Sequence, residues 1–467
     1  MASLKCWSFA QRLSLFSCIA IAALLAGNVL RACPFCLSPP MTLVEENAAS
    51  DIVVIAELLK CEVVHAGAVR IPQSTFRIRE FLQGAELSTR FGRFQTGQPI
   101  VVRQEITGVP GDMFLLFGSL PASGASASTE STFATNTDDA TSNLNAPSNV
   151  SGNDAGIVTA DLKTTESASK KIQRISYLIP ELISWDPYAP VSLEAIRYIR
   201  NAPGQSIPQA QRLPYYLRFL ENPDPLLSID AWAEFANATY KDVKAVKDQM
   251  PREQLRQWIA DPTTTPERLG LYGMMLGLCG SADDAAFLER QIGALPPTGR
   301  DDKEFFRYGT DGLMGGYLLL TGEDGLAFLE QTRLKPGVPS DSVYAVVQAI
   351  QFMWSYESSL IPQSRLKSSM RRLLSNSDQR ILTITNLARW KDWESWPKLE
   401  RLFRNECADD RAAQRAIVQF AEECRSATSA DGSPLEFAAA ATTFLAKAEV
   451  EHPDLFRSTN NAEFLGP

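Results

Sequence analysis

The sequence predicts an α+β multidomain chain in which a small β-barrel precedes an α-helical solenoid. Three observations predict it. Between about residues 50 and 120, short apolar or alternating runs are separated by Gly and Pro, the pattern of short strands. From about residue 205 the apolar period changes to 3.6. Within that second part a four-residue signature repeats at the spacing of one helix pair. The length agrees, since 467 residues exceed what one hydrophobic core organises.

Composition narrows the function classes. Hydrophobic residues make up 45% and charged residues 21%, ordinary globular values that exclude wholesale disorder. The net charge is −9 with no basic block, so nucleic acid is excluded as an expected partner. Only two histidines are present, His65 and His452. That excludes three-His zinc sites and leaves Ser-His-Asp triads short of candidates. No carboxylate pair stands at a catalytic spacing, and no cofactor motif is found.

Residues 1–32 read as an export signal. Lys5 and Arg12 give a positive start, and Leu13 to Leu25 form an apolar run too short for a membrane span. Ala32 suits the last residue of the signal, leaving Cys33 as the new N-terminus. Leu30-Arg31-Ala32-Cys33 half-resembles a bacterial lipobox, with Arg31 where a small residue belongs. Cleaved, lipidated and retained forms all place the body of the chain outside the cytoplasm, in the periplasm or cell envelope. Membrane association is expected only through an uncleaved signal or a lipid on Cys33.

Residues 33–204 form the β module. Thr42 and Glu45 make a capping box for a short helix to about Ala49. Asp51 to Leu59 is nearly continuous and apolar. Thr75 to Leu82 alternates, with Phe76 and Ile78 on one face and Arg77 and Arg79 on the other. Ile100 to Arg103 and Met113 to Phe117 are two more runs, the latter after a Pro110-Gly111 turn. Short strands at this spacing predict a small barrel. Pro121 to Lys170 interrupts the module. Serine and threonine fill 17 of its 50 positions and Phe133 is its one aromatic residue, so it reads as a disordered insertion.

The order of these pieces resembles the netrin-type OB-fold module of tissue inhibitors of metalloproteinases and of exported bacterial relatives. The matching pieces are the N-terminal cysteine pair, "ASDIVVIAELL", "TFRIREFLQG", "GDMFLLFG" and "ISWDPYAPVSLEAIRYI". In the last piece a strand enters Trp185 and Ser192 caps a helix with Leu193, Ile196 and Ile199 inward. The resemblance implies an OB-like fold and zinc chelation through the free amine and carbonyl of a first cysteine, here Cys33. This chain departs from that pattern: the pair is CxxC, and Cys61 is the module's one other cysteine.

Residues 205–458 read as helical repeats, and 459–467 as a disordered tail. Ala286-Phe287-Leu288-Glu289 recurs 41 positions on as Ala327-Phe328-Leu329-Glu330, each copy after a Gly-containing turn. Apolar helix, tight turn, acidic cap and second helix resemble the HEAT-like class of paired-helix repeats. Val343, Val346, Val347, Ile350 and Trp354 form one helical stripe. The whole order, with "PERLGLYGMMLGLCG" and "DGLMGGYLLLTG", also resembles exported bacterial proteins of unknown function, a likeness that brings no activity.

Cys33-Pro34-Phe35-Cys36 is the sharpest motif. Its spelling is near that of thioredoxin and glutaredoxin centres, where CxxC opens a helix after a strand. No strand precedes it here and Pro39-Pro40 follows it, so a structural disulfide competes, within the motif or to Cys61. The same residues with His65 could supply four zinc ligands only by coincidence, and no metal is expected. Cys279 and Cys424 read as packed free thiols; Cys407 and Cys424 flank a helix roughly 20 Å long, too far apart to bond.

Trp390, Trp393 and Trp396, spaced by three, are the binding candidates, with at least two in the core at a helix-pair turn. The doublets Asp283-Asp284, Asp301-Asp302 and Asp409-Asp410 stand where helices begin and read as caps. Lys367, Arg371 and Arg372 read as a solvated basic face. The sequence thus predicts a non-enzymatic, exported interaction or scaffold protein with a protein partner. The alternatives are a thiol-disulfide redox protein using Cys33 and Cys36, and a protease inhibitor acting through an N-terminal Cys33.

Overall fold

A computed structural model describes residues 33–36, 39–66, 69–86, 95–120, 183–293, 309–428 and 435–456. Residues 1–32, expected to be an export signal, the expected insertion 121–170, Asp301-Asp302 and the expected tail 459–467 lie outside the described residues. The chain is α+β: a five-stranded antiparallel sheet followed by a mostly helical region. It divides into two units that do not follow chain order. One holds Met41–Ser206 and Asn222–Asp230; the other holds the described residues of 1–40, Ile207–Glu221 and Ala231–Pro467. The Cys33-Cys36 motif therefore belongs with helices, not strands.

The sheet unit begins with helix α1 (Leu43–Ala49), whose capping box is formed in both directions: Glu45 N–H donates to Thr42 Oγ1 at 3.2 Å, and Thr42 N–H to Glu45 Oε2 at 2.8 Å. Strands β1 (Ile52–Ala66) and β2 (Val69–Gln83) follow, then β3 (Pro99–Val102), β4 (Met113–Ser119) and β5 (Ser184–Pro190). Their order is β3-β2-β1-β4-β5, antiparallel throughout, with Ala56 of β1 opposite Ile78 on one side and Phe114 on the other. β1 and β2 run well past the apolar runs that signal them. The outer end of β1 (Lys60–His65) is exposed, and its β2 partners Arg70–Thr75 mix polar and apolar residues, so hydrophobic pattern alone does not mark these ends.

The sheet is not closed, which corrects the expected barrel. The physical reason is that both faces of β1 are buried. Ile52, Val54, Ala56 and Leu58 enter a core with Phe76, Ile78, Phe114, Leu116 and Trp185. Phe76 and Phe114 meet edge to face at 5.2 Å, an arrangement worth about 1 kcal/mol beyond area burial. Val53 and Ile55 point the other way and are equally buried, with Leu115 and Phe117. Continuous apolar strands of this kind suit a sheet covered on two sides. Helices α1 and α2 (Leu193–Asn201) flank that second face, both tied to one carboxylate: Asp230 accepts from Leu43 N–H at 2.6 Å and from Tyr198 O–H at 2.5 Å. Ser192 caps α2 as the sequence predicts, at 3.0 Å from Ala195 N–H. Its inward face is Ala195, Ile196 and Tyr198; Leu193, expected inside, is 70% exposed because it sits at the first turn on the solvent side.

The helical unit is organised by one crossing. Helix α7 (Pro266–Cys279) and helix α9 (Thr310–Arg333) are numbered after α3 (Gln209–Tyr216), α4 (Pro225–Ala236), α5 (Tyr240–Ala245), α6 (Arg252–Ala260) and with α8 (Ala282–Gly293) between them. α7 and α9 touch backbone to backbone. A Cβ on Gly273 would stand 2.6 Å from the Gly312 carbonyl, and Cβ atoms on Gly277, Gly312 and Gly316 would meet main chain of the partner helix inside van der Waals contact. Leu269, Leu271, Met274, Met275, Leu313, Met314 and Leu318 are buried around this seam. Gly280 ends α7, and Gly322 interrupts α9 with φ of 58°, so both copies of the repeated signature do lie in a second helix after a glycine turn. The rest is α10 (Ser340–Tyr356), α11 (Gln363–Arg372), α12 (Arg380–Arg389), α13 (Trp396–Asn405), α14 (Arg411–Arg425) and α15 (Glu436–Glu451). Asp410 caps α14 by accepting from Ala413 N–H at 2.9 Å. Asp284 accepts from Ser281 N–H at 2.7 Å and pairs with Arg252 at 2.6 Å.

The crossing predicts a contrast between two glycines. Gly316→Ala forces a methyl into the Gly273 carbonyl and should destabilise the protein by about 3 kcal/mol. Gly293→Ala meets nothing within 4 Å and should be neutral or stabilising by about 0.5–1 kcal/mol. Denaturant unfolding of the two variants measures the difference; equal effects would contradict the backbone contact.

Candidate functional site

Cys33 and Cys36 are bonded to each other. They close a turn in which Cys36 N–H donates to Cys33 C=O at 3.2 Å, and Cys33 N–H donates to Ala236 C=O at 3.2 Å. Cys33 is 3% exposed and Cys36 9%. Phe35 packs on Phe352 with ring centroids 5.0 Å apart, and Phe352 meets Tyr240 at 5.2 Å. Cys61 is not part of this site. It is an exposed free thiol on β1, receiving a 3.5 Å contact from Ser74 Oγ. Cys279, Cys407 and Cys424 are free. Burial, with Asp284 nearby, pushes the Cys279 thiol up to about 11, and burial pushes Cys424 up to about 11. Both stay protonated near neutral pH and are poor nucleophiles.

The three tryptophans separate. Trp390 is 7% exposed and stacks on Trp354 at 4.2 Å; Trp396 is 1% exposed, packed against Phe420 and Phe444. Trp393 is half-buried and meets Phe420 edge to face with ring centroids 5.4 Å apart. It lines a groove of about 650 Å³ with Lys367, Arg371, Lys391, Glu394 and Phe437 among its other walls. Local sequence explains the shape. The Trp390-Lys391-Asp392 link turns between α12 and α13 with Lys391 at φ of 52°, and Asp392 is pinned beneath by Ser395 Oγ at 2.5 Å.

The basic face on α11 is not a free solvated one. Arg371 donates from Nε to Asp392 Oδ2 at 2.6 Å and from Nη2 to Glu394 at 2.8 Å. Those hydrogen bonds, Asp392 first, hold its guanidinium above the usual arginine range despite partial burial. Arg372 pairs with Glu330 at 3.0 Å, and Arg365 reaches both oxygens of Glu330 at 2.7 and 2.8 Å. Burial alone would raise the Glu330 carboxyl; bonds from Arg365 and Ser369 outweigh it and hold the carboxyl below its ordinary value. Lys367 keeps looser partners, Asp392 at 3.8 Å, the Lys391 carbonyl at 3.4 Å and the Trp354 ring at 5.9 Å. The groove is thus an aromatic patch framed by paired charges. It can hold an extended polypeptide by ring contact and side-chain hydrogen bonds, and it assembles no acid-base pair.

A second cavity, of about 520 Å³, lies within the sheet unit between α1, the sheet and α2, with Glu80 and Arg200 paired at 3.1 Å on its wall. Sequence reasoning missed it because Glu80 and Arg200 meet only through the fold. Phe35's surroundings were missed too, although the glycines of "PERLGLYG" and "DGLMGG" were a usable signal of close backbone approach. Among the described residues no group of His, Cys, Asp and Glu could hold a metal ion, and no helix is long and apolar enough to cross a membrane. The chain matches no protein-family model and no curated protein.

Two predictions follow from these side chains. Trp390→Ala and Trp396→Ala should each cost about 3–5 kcal/mol, whereas Trp393→Ala should cost about 1–2 kcal/mol; equal losses in chemical denaturation would contradict the assigned exposures. Glu330→Gln leaves three donors around a neutral amide and should cost about 2–3 kcal/mol at pH 7. Because the folded carboxyl is held low, that contribution is full above the ordinary carboxylate value near 4.5 and is lost as pH falls below it. Wild type and variant should therefore converge in acid, and a constant gap down to pH 3 would contradict the network.

Proposed function

We propose that this chain is an exported, non-enzymatic interaction protein of the cell envelope that engages a protein partner at the Trp393 groove. One observation carries the reading. Trp393 is the half-buried member of its trio, and it stands in a groove where Arg371 is paired with Asp392 and Glu394. An amphipathic aromatic side chain in a recess with hydrogen-bonding walls is the common anchor of protein interfaces. Helix–glycine–helix units at two places support a HEAT-like repeat architecture for the helical unit. Lys5, Arg12 and the apolar run after them support export, as does a disulfide, which persists in oxidising compartments.

The competing readings have less support. A redox centre needs an attackable sulfur, and both cysteines are covered. An inhibitor's Cys33 needs a free amine and carbonyl, whereas here its N–H is bonded to Ala236. A lipid thioether on Cys33 would compete for the sulfur that Cys36 holds.

The test is affinity capture from envelope extracts with the wild type, Trp393→Ala and Lys367→Glu. A partner retained by the wild type and released by both folded variants is the expected result. A partner held equally by all three, or thiol-disulfide turnover that disappears in Cys36→Ser, would overturn the reading.

A further inference from the structure

The helical unit keeps a fitted place for one ring of its own N-terminal segment. A Cβ on Gly315 would stand 2.5 Å from Phe35 Cζ, and one on Gly270 would stand 2.9 Å from the Phe35 carbonyl oxygen. These two glycines belong to α7 and α9, so the slot for Phe35 is walled by the helices that cross. Phe352 closes one side at 5.0 Å and is backed by Tyr240. Tyr240 in turn donates to the buried Glu357 at 2.7 Å. One main-chain bond, Cys33 N–H to Ala236 C=O, holds the turn, and Asn237 Nδ2 donates to Pro40 C=O at 3.0 Å.

We propose that this turn is a redox latch. The disulfide fixes Phe35 in the geometry that fits the slot, and both cysteines are buried while the ring is seated, so undocking and reduction are coupled. In the release step a dithiol reductant attacks one protein sulfur, the Cys33–Cys36 bond breaks and a mixed disulfide forms. The reductant's second thiol then displaces the protein sulfur. Two protein thiols and a cyclic disulfide result, with two electrons and two protons passing from reductant to protein. Opening the closed turn restores its conformational freedom, and the unseated Phe35 leaves the glycine faces of α7 and α9 exposed.

The coupling is tested on the purified protein treated with dithiothreitol under native conditions, with Cys33 and Cys36 alkylation followed by mass spectrometry. Three proteins are compared: wild type, Phe35→Ala and, as a control of similar burial in the last helix, Leu445→Ala. Phe35→Ala should be reduced at least about tenfold faster than wild type, because removing a seated ring raises the open population. Leu445→Ala should stay within about twofold of wild type, since local opening of the turn does not involve α15. Reduced wild type should melt below the oxidised form, and the two forms of Phe35→Ala should differ less. Should Phe35→Ala fail to fold, Phe35→Leu carries the same comparison with a smaller acceleration. Equal reduction rates for wild type and the Phe35 variant would overturn the latch. So would an equal acceleration in Leu445→Ala, which would make access a matter of global unfolding, or identical melting of reduced and oxidised wild type.

Discussion

The helical unit depends on the approach of α7 and α9 to a distance only glycine permits. Gly270, Gly273 and Gly277 on one helix face Gly312 and Gly316 on the other, with main chain in place of side chains at the contact. Dispersion falls steeply with distance, so removing the side chains lets two backbones and their flanking Leu and Met residues reach close-packed contact. Each interior glycine costs roughly 1 kcal/mol of helix propensity. The buried Leu269, Met274, Met275, Leu313 and Met314 offset that cost. The seam leaves glycine faces on its flank as well, and there the N-terminal Phe35 is seated.

That seat changes the meaning of the most conspicuous motif. CxxC next to an aromatic residue suggests exchange chemistry, yet exchange requires a sulfur that solvent thiols can reach. Here the bond closes a turn that presents Phe35 to the slot. In the proposed latch the motif acts on the fold of its own chain, and the proposed recognition of a partner is assigned to a different place, the groove beside Trp393. The two proposed sites draw on opposite properties: the turn is covered, and Trp393 in the groove is only half-buried.

Most local features governed by a short-range rule were legible, Leu193 at the start of α2 being an exception. The Thr42 capping box, the Ser192 and Asp410 caps, the alternation of Phe76 and Ile78 with Arg77 and Arg79, and the glycine turns before the repeated signature each depend on neighbours within a few positions. Sheet closure was not legible. Whether β3 and β5 join depends on what covers the second face of β1, and the apolar run DIVVIAELL is compatible with a barrel or with a sheet covered on both sides. The pairing of Arg371 with Asp392 and of the exposed Arg372 with Glu330 was not legible because those partners lie on other elements. The tryptophan trio was half legible: spacing by three placed them at a helix-pair turn, but only packing against Trp354, Phe420 and Phe444 decided which ring stays partly open.

Amide hydrogen exchange of the native, oxidised protein tests the central claim most directly. If the glycine seam carries the helical unit, the amides of Met274–Leu276 and of Met314–Leu318 exchange only through global unfolding and are the slowest in the chain. Exchange of these amides at the faster rate of exposed helix ends, while the unit stays folded, would show that the crossing is peripheral.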